Sequence, residues 1–434
     1  MDKMADVLGR AGAWCGQNKY LSAIKNAFQN FMPLTIAGAI GVLWCNVLVN
    51  ESTGLGIFFK PIMALEFLNP AFQAVNFCTI SCITVGITLG IAQEIGVWNM
   101  GAEKAGYIPG LVGLAAWLSV TNTSHMVEGA KEAFTGIAGN ELGATGLFTG
   151  MIIGVLSVEL FCFFEKQDAL KIKMPEQVPP GVARAFEVLV PATITLIITA
   201  CIGSACYNLT GLYLNDVIKN GIQGPLGAVG ATIPGVMIIY LVIMLFWLVG
   251  IHGNNMLSAV KEALFTPLAL ENVEKFNKGE KPTNIINMYA LQMWGEFGGS
   301  GVTIGLVIAI MIFGKREDNK AIATLSLVPG LFNINETVTF GVPMVLNPIL
   351  GIPFVVAPLI TIIIGYVLTV IGFCPVACLT VPWTTPPIVF GFLATGANVM
   401  GAVTQAILIV VSTVIYTPFL IAYEKYQNKQ AAEA

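Results

Sequence analysis

The sequence predicts an all-α polytopic integral membrane protein, and three observations carry that prediction. Hydrophobic residues make up 56% of the 434 residues and charged residues only 11%, whereas an ordinary soluble domain has about 25% charged residues. The apolar residues also form long runs, for example 236–249 and 302–313. The mean hydropathy is +0.78. A chain with so few charges cannot cover a large water-facing surface, so its apolar segments are expected to face lipid.

The apolar runs and their polar flanks predict about ten transmembrane helices. A helix needs roughly 20 predominantly apolar residues to cross the ~30 Å hydrocarbon core of a bilayer. Several runs reach or approach this length, and polar or charged segments separate most of them. The candidate spans are 31–49, 77–97, 108–120, 147–164, 188–207, 236–251, 299–313, 321–346, 352–373, 381–397 and 400–422.

Part of the C-terminal half departs from a regular series of spans. The run 321–346 is interrupted near its middle by Asn335 and Glu336, and the stretch between Lys281 and Lys315 is basic at both ends but strongly apolar only in its second half. Polar or non-helical chain persists at membrane depth only where protein or a water-filled cavity shields it. We therefore predict re-entrant hairpins in this half of the chain.

The regular spans of the N-terminal half and the interrupted run of the C-terminal half predict two domains. Residues 1–212 are predicted to form an N-terminal helical domain, and residues 213–434 a C-terminal domain with interrupted helices.

Near the N-terminus, Val7, Ala11 and Trp14 fall close to one face at helical spacing, which predicts an interfacial amphipathic helix. No compact apolar core with a small-residue cleavage site occurs there, so a cleaved signal peptide is not expected.

The distribution of lysine and arginine predicts the orientation in the membrane. Cytoplasmic loops carry an excess of these residues. They gather in the N-terminal arm, in the polar connector 165–184, in the segment 261–281 and at the C-terminus, whereas the intervening loop 51–73 carries only Lys60. We therefore expect both termini in the cytoplasm.

Charge and cysteine content narrow the possible functions. The formal net charge of −4 gives no reason to expect a nucleic-acid partner. Cys78 and Cys82, like Cys374 and Cys378, are spaced i,i+4, but neither pair has a histidine or carboxylate neighbour of the kind that a metal site would need. We therefore expect neither a metal nor another cofactor, and we interpret these cysteines as small buried side chains.

Three polar strings interrupt the apolar sequence, at 250–255, 332–337 and 382–387. Strongly polar side chains are costly inside a bilayer and usually mark a binding site or a pathway. A sugar presents hydroxyl groups that both donate and accept hydrogen bonds, so asparagine, histidine and carboxylate side chains match it, and its apolar face can stack on tryptophan. The predicted substrate-binding residues are His252, Gly253, Asn254, Asn333, Asn335, Glu336 and Trp383.

Most of these residues also have a purely structural interpretation. His252 ends an apolar run and Trp383 is compatible with anchoring at the membrane interface, while Asn333 and Asn335 are compatible with helix capping. The carboxylate in the second string is different, because it lies among apolar residues and needs a partner. Glu296 is a further candidate, although its neighbourhood is also compatible with a loop.

The strings Ile251-His252-Gly253 and Asn335-Glu336, together with Met32-Pro33-Leu34, give the chain a family resemblance. Over essentially its whole length it resembles the enzyme IIC components of the lactose, N,N′-diacetylchitobiose and cellobiose class of phosphotransferase permeases. The resemblance implies a homodimer in the bacterial cytoplasmic membrane, with N-terminal spans at the interface and a disaccharide in the C-terminal half. It also implies that His252 and Glu336 lie near the C6 hydroxyl of the sugar, which a phosphorylated B component phosphorylates.

Two other classes of function are alternatives to a phosphotransferase permease. An ion-coupled sugar symporter would also place Glu336 in the membrane, as a proton or sodium relay. An intramembrane enzyme should show a metal site or a nucleophile beside a base, and a sequence with two histidines shows neither pattern. No soluble segment is long enough for a phosphocysteine or phosphohistidine module, so phosphoryl transfer is expected to need the separate B component.

Overall fold

The computed structural model describes residues 10, 14, 17–51, 56, 59–125, 134–175, 177–342 and 344–433. The expected N-terminal amphipathic helix falls mostly outside these residues. Within them the chain is almost entirely helical, as predicted. The strands are β1 (Ser124–His125) and β2 (Phe134–Thr135), which pair antiparallel with Ser124 opposite Thr135.

Twenty α-helices occur in the described part of the chain. The first eight are α1 (Lys19–Leu43), α2 (Asn69–Asn76), α3 (Ile83–Met100), α4 (Ala102–Ala105), α5 (Ile108–Val120), α6 (Gly139–Leu142), α7 (Ala144–Glu165) and α8 (Pro180–Thr210). The next six are α9 (Leu214–Ile218), α10 (Gly224–Gly230), α11 (Ile233–Leu248), α12 (Gly253–Met256), α13 (Ser258–Asn277) and α14 (Met288–Gly295). The last six are α15 (Ile304–Phe313), α16 (Glu317–Leu331), α17 (Glu336–Gly341), α18 (Gly351–Val370), α19 (Val389–Ala394) and α20 (Val399–Glu433). Single π-helical or 3₁₀ segments lie at Trp44–Leu48, Lys60–Leu68, Phe77–Ser81, Asp168–Leu170 and Lys219–Gln223.

Among the described residues, five helices are long and apolar enough to cross a membrane, and a sixth span results if one bent pair is counted as a unit. That pair joins Lys60–Ser81 to Ile83–Met100 at an angle of 42°. Three further apolar helices, α5, α11 and α15, are shorter than a full span. The membrane prediction is therefore confirmed, and the count of about ten spans stays a prediction.

The chain forms two compact units. The first unit contains Gln17–Gly38 and Ala74–Gly227, and the second contains Ala39–Gln73 and Ala228–Ala434. In the first unit, α3, α5, α7 and α8 pack on one another around a cluster that includes Ala116, Trp117 and Ile153. Small residues permit this packing. A Cβ atom on Gly113 would lie 2.3 Å from the Cβ atom of Ala92, so the two helix backbones approach closely there.

The second unit combines long helices with broken ones. The helices α15, α18 and α19 each pack on α20, and a Cβ atom on Gly365 in α18 would lie 2.4 Å from the indole ring of Trp294. Between these helices the chain departs from regular structure at 296–303, 332–335 and 371–388. The expectation of interrupted helices in the C-terminal half is confirmed at 332–335, where α16 ends and α17 begins.

Two of the predicted spans are wrong in their extent. The run 381–397 contains a helix only at Val389–Ala394, because Pro382, Pro386 and Pro387 exclude a regular helix before it. The run 299–313 becomes helical only at Ile304, since glycines with positive φ precede it, among them Gly299 (φ 88°) and Gly301 (φ 81°). Both irregular stretches contribute residues to the site described next.

Candidate functional site

The three polar strings meet at one cavity in the second unit. The cavity has a volume of about 210 Å³, and each string contributes to its wall: 250–255 through His252, 332–337 through Glu336 and 382–387 through Trp383. Residues from the segment 292–300 and from helices α19 and α20 complete the wall. Chain segments that are far apart in sequence are therefore brought together, as expected for a site between helices.

His252 and Glu336 face each other in this cavity. The imidazole Nε2 lies 3.9 Å from the carboxylate Oε1, and the two side chains are 38% and 48% exposed. A direct hydrogen bond would need about 2.7–3.2 Å between these atoms. An oxygen atom about 2.8 Å from both atoms would lie to one side of the line that joins them, so one hydroxyl group in the cavity can bridge the two side chains.

The position of the imidazole is fixed by the start of α12. His252 is the N-cap of this helix, and its Nδ1 accepts a hydrogen bond of 3.3 Å from the backbone N–H of Asn255. Its ring also packs on the buried indole of Trp247, with the ring centroids 4.4 Å apart. Because Nδ1 is the acceptor, the proton of the neutral imidazole lies on Nε2. Nε2 thus presents a donor toward Glu336, and the carboxylate presents an acceptor.

Asn333 ties three segments of the wall together. It adopts a left-handed backbone conformation with φ 62°, which asparagine tolerates better than most residues. Its Oδ1 accepts a 2.6 Å hydrogen bond from the backbone N–H of Gly298, and its Nδ2 donates to the carbonyls of Trp383 and Thr385. These bonds occupy the amide, so Asn333 supports the cavity wall. The helix-capping interpretation does not apply to it.

Asn335 and Asn254 converge on Ser300. Asn335 Nδ2 donates to the Ser300 carbonyl at 2.7 Å, and Asn254 Nδ2 donates to the Ser300 hydroxyl at 3.1 Å. Asn335 occupies the N-cap position of α17 but makes no capping bond through its side chain. Asn254 Oδ1 is buried and has no hydrogen-bond partner, and the same holds for Oε1 of Gln292 in the cavity wall. These two oxygens can accept hydrogen bonds from the hydroxyl groups of a ligand.

Trp383 and Gly253 have different surroundings. The Trp383 side chain is 43% exposed and lines the cavity, so its ring has a free face. Gly253 does not line the cavity; a Cβ atom there would lie 2.0 Å from the Ile243 carbonyl oxygen. The geometry explains this glycine by close packing between α12 and α11, and its predicted contact with substrate stays a prediction.

A buried ion pair lies in the same cavity. The Lys261 ammonium contacts Oε1 of Glu296, and this oxygen also accepts a 2.7 Å hydrogen bond from the Tyr240 hydroxyl. The side chains of Lys261 and Glu296 are only 7% and 15% exposed. The position of Lys261 corrects one expectation, because its charge was assigned to a cytoplasmic loop whereas it lies inside α13 and lines the cavity.

Gln405 is a functional candidate that the sequence analysis missed. Its Oε1 accepts hydrogen bonds from the backbone N–H groups of Ile388 and Gly391 at 2.8 and 2.7 Å, and its Nε2 donates to the Met293 carbonyl at 3.2 Å. It therefore holds the irregular chain before α19 in place. The sequence does contain a signal for this residue, because a glutamine is unusual inside the apolar run that forms α20. Lys261 was missed because it stands beside Glu262 in a helix with several charges, and Ser300 because it lies in a glycine-rich stretch. Gln292, like Gln405, interrupts an apolar run.

Comparison with known proteins assigns the chain to a family. A family model described as "Phosphotransferase system, EIIC" matches residues 25–358. The chain is 33% identical over 429 residues to the PTS system oligo-beta-mannoside-specific EIIC component of Bacillus subtilis (strain 168), covering 98% of this chain and 94% of that protein. It is 30% identical over 486 residues to the PTS system cellobiose-specific EIIC component of Lactococcus lactis subsp. lactis (strain IL1403), covering 98% of each.

A solved structure agrees with these relatives. The crystal structure of the transporter ChbC, the IIC component from the N,N′-diacetylchitobiose-specific phosphotransferase system, matches with a TM-score of 0.88 and 29% sequence identity over 97% of each chain. The similarity therefore extends over both sequence and fold. This chain belongs to the EIIC family of phosphotransferase-system membrane permeases.

Proposed function

We propose that this permease binds a disaccharide of the cellobiose or N,N′-diacetylchitobiose type in the cavity of its second unit. It carries the sugar across the membrane and presents the C6 hydroxyl for phosphorylation by a separate B component. The observation that carries the proposal is the facing pair of His252 Nε2 and Glu336 Oε1 at 3.9 Å, which a single hydroxyl group can bridge from one side. Relatives named for cellobiose and diacetylchitobiose support this choice of substrate. Neither the geometry nor the comparisons favour an ion-coupled symporter.

His252 and Glu336 make different hydrogen bonds to the hydroxyl group. His252 Nε2–H donates to the sugar O6, and Glu336 accepts the hydrogen bond from the O6–H group. When the B component delivers its phosphoryl group, a P–O6 bond forms as the bond between phosphorus and the donor atom of the B component breaks. The O6 proton passes to Glu336. The product carries the charge of the phosphate, which keeps it from crossing the membrane again.

The remaining cavity residues recognise the rest of the sugar. Asn254 and Gln292 accept hydrogen bonds from hydroxyl groups, since each has an unpaired buried oxygen. Trp383 stacks on the apolar face of a ring. Asn333 and Asn335 hold the wall that carries these groups. In this proposal residues 213–434 form the substrate domain, and residues 1–212 form the scaffold through which two copies make a homodimer.

The proposal is tested with purified protein and its B component. Radiolabelled cellobiose and diacetylchitobiose should bind to the permease in detergent, and at least one should be phosphorylated at O6 only when the phosphorylated B component is added. Proton-dependent uptake of unmodified sugar into vesicles without a B component would contradict the proposal. The same preparation gives the oligomeric state by light scattering, where a dimer is expected.

Reporter fusions test the proposed orientation, with both termini in the cytoplasm. The motive is the excess of basic residues in alternate loops. Fusions after Lys173, Lys281 and Lys429 should all report the cytoplasm, and a fusion near Lys60 should report the outside. A periplasmic signal from the Lys173 fusion would overturn the assignment.

A further inference from the structure

The Lys261–Glu296 pair has no role in the proposed contacts to the C6 hydroxyl group, although both residues line the cavity. The ammonium of Lys261 is held on two sides: by the Glu296 carboxylate and by the face of the Tyr240 ring, whose centroid is 5.6 Å from Nζ. Tyr240 is completely buried and donates its hydroxyl to the same Glu296 oxygen. The contacts with Glu296 and Tyr240 therefore fix the position of the Lys261 ammonium group.

The cavity wall therefore carries more negative charge than positive charge. Counted over the described residues, the wall contains the carboxylates of Glu296 and Glu336 and the ammonium of Lys261. Glu296 pairs with Lys261, whereas Glu336 is 48% exposed and has no lysine or arginine partner among the described residues that line the cavity. A ligand in the cavity meets the uncompensated charge of Glu336. Like charges at close range in a partly desolvated site repel strongly.

We infer that Glu296 and Tyr240 sequester Lys261 so that the cavity accepts neutral sugar and rejects its phosphorylated product. This inference rests on the proposed function for the identity of the product, and it assigns Lys261 and Glu296 as specificity-determining residues. An unpaired lysine in the cavity would bind a phosphate group, since ammonium groups are common phosphate ligands. The permease would then retain sugar 6-phosphate and turn over slowly. With Lys261 paired, repulsion from Glu336 promotes release of the product once Glu336 has given up the proton that it takes from O6.

Glu296→Gln provides the direct test. The amide keeps an acceptor for the Tyr240 hydroxyl but removes the charge that neutralises Lys261, and a buried charge without a partner favours any anion that reaches it. Inorganic phosphate is the first probe, because it requires no sugar binding. Millimolar phosphate, compared with chloride at equal ionic strength, should raise the unfolding midpoint of Glu296→Gln in detergent. It should leave the wild type unchanged.

The second probe is the disaccharide 6-phosphate. In the wild type it should bind about tenfold more weakly than the neutral sugar. In Glu296→Gln its affinity should rise by about tenfold or more relative to that of the neutral sugar, because a hydrogen bond to a charged group forms. Failure of neutral sugar to bind any variant would count against the proposed function, and the phosphate measurement would still decide this inference.

Two controls complete the experiment. Lys261→Met combined with Glu296→Gln removes both charges, which a buried pair often tolerates, and the gain in phosphate binding should disappear. Glu159→Gln removes the carboxylate of a more exposed ion pair, with Lys19 at 2.6 Å in the first unit. Because water screens the freed ammonium there, phosphate should raise its unfolding midpoint far less than that of Glu296→Gln. If folded Glu296→Gln binds phosphate no better than the wild type, or if the double variant binds it equally well, the inference is wrong.

Discussion

The two units differ in the partners of their buried polar side chains. In the first unit, several buried hydroxyl groups bond within their own helix, as Thr195 does to the Pro191 carbonyl and Thr199 to the Thr195 carbonyl. Two others, Thr84 and Thr149, bond to Gly143 and Asn215 in other segments of the unit. In the second unit, buried amides bond to the backbone of distant segments. Asn272 reaches the Ala377 carbonyl and Gln405 reaches the Met293 carbonyl, across 105 and 112 residues respectively.

The difference follows from the state of the backbone. A regular helix satisfies its own N–H and C=O groups, so the hydroxyl groups of Thr195 and Thr199 only add to bonds that already exist. Where a helix breaks at membrane depth, those backbone groups need other partners. The second unit supplies them with asparagine and glutamine side chains. The same breaks create the cavity wall, so the polar groups that stabilise the irregular chain and those proposed to bind sugar lie side by side.

The largest expected effect is on stability, at Asn272. This side chain is completely buried; it donates to the Asn284 and Ala377 carbonyls and accepts from two backbone N–H groups in the loop after α13. Asn272→Leu leaves the two N–H groups without this acceptor, at about 1–3 kcal/mol each before relaxation. The two carbonyls still accept from Asn287 Nδ2. We expect a clear fall in the unfolding midpoint.

The matched substitution in the first unit is Thr195→Val, which removes a bond to a carbonyl that its helix already uses. Its expected cost is below about 1 kcal/mol. Both midpoints are measured by thermal unfolding in the same detergent. Equal shifts for the two variants would contradict the difference drawn between the units.

The next largest effect is on sugar affinity, at Glu336 and His252. A hydrogen bond to a charged group contributes about 1.5–3 kcal/mol, or roughly one to two orders of magnitude in affinity. Glu336→Ala and His252→Ala should each weaken binding by about that factor, and the double variant should lose less than the sum because both side chains serve one hydroxyl group. Glu159→Gln in the first unit is the control, and calorimetry should give it wild-type affinity. Strict additivity in the double variant would count against a shared hydroxyl group.

A smaller effect is expected at Trp383. If its ring stacks on the sugar, Trp383→Phe should keep most of the affinity, whereas Trp383→Ala should lose about tenfold, since stacking on an aromatic face contributes about 1 kcal/mol or more. Equal affinities in the wild type and the alanine variant would support the membrane-interface alternative. The substitution should not change the unfolding midpoint much, because the ring is 43% exposed.

Sequence alone predicted the parts of the fold in which local pattern decides the structure. The span 147–164 lies within α7, at Ala144–Glu165, because a long apolar run between polar ends has one stable arrangement in a bilayer. The break at Asn335 and Glu336 was also predictable, since these residues are incompatible with a lipid-facing helix. The π-helical turns at Trp44–Leu48 and Phe77–Ser81 have no such local signal.

The limits of sequence appear most clearly at Lys261. It belongs to a helix with several charged residues, including Glu262, Glu271 and Lys275, so composition places it at a surface. Its burial depends on the ion pair with Glu296, which lies 35 residues further along the chain. Tyr240, 56 residues before Glu296, donates a hydrogen bond to the same carboxylate. The cavity's central residues were identified because each was unusual in its own surroundings. Residues such as Ser300, which are ordinary in their local sequence, could be placed in the cavity only from the three-dimensional arrangement.

The most direct test of the central claim uses a sugar without its 6-hydroxyl group. Equilibrium binding of the disaccharide and its 6-deoxy analogue is measured with the wild type, Glu336→Ala and His252→Ala. The proposed site predicts that the analogue binds about tenfold or more weakly to the wild type. It also predicts that neither substitution weakens binding of the analogue further. If the analogue binds as tightly as the parent sugar and still loses affinity in Glu336→Ala, Glu336 does not contact the C6 hydroxyl group.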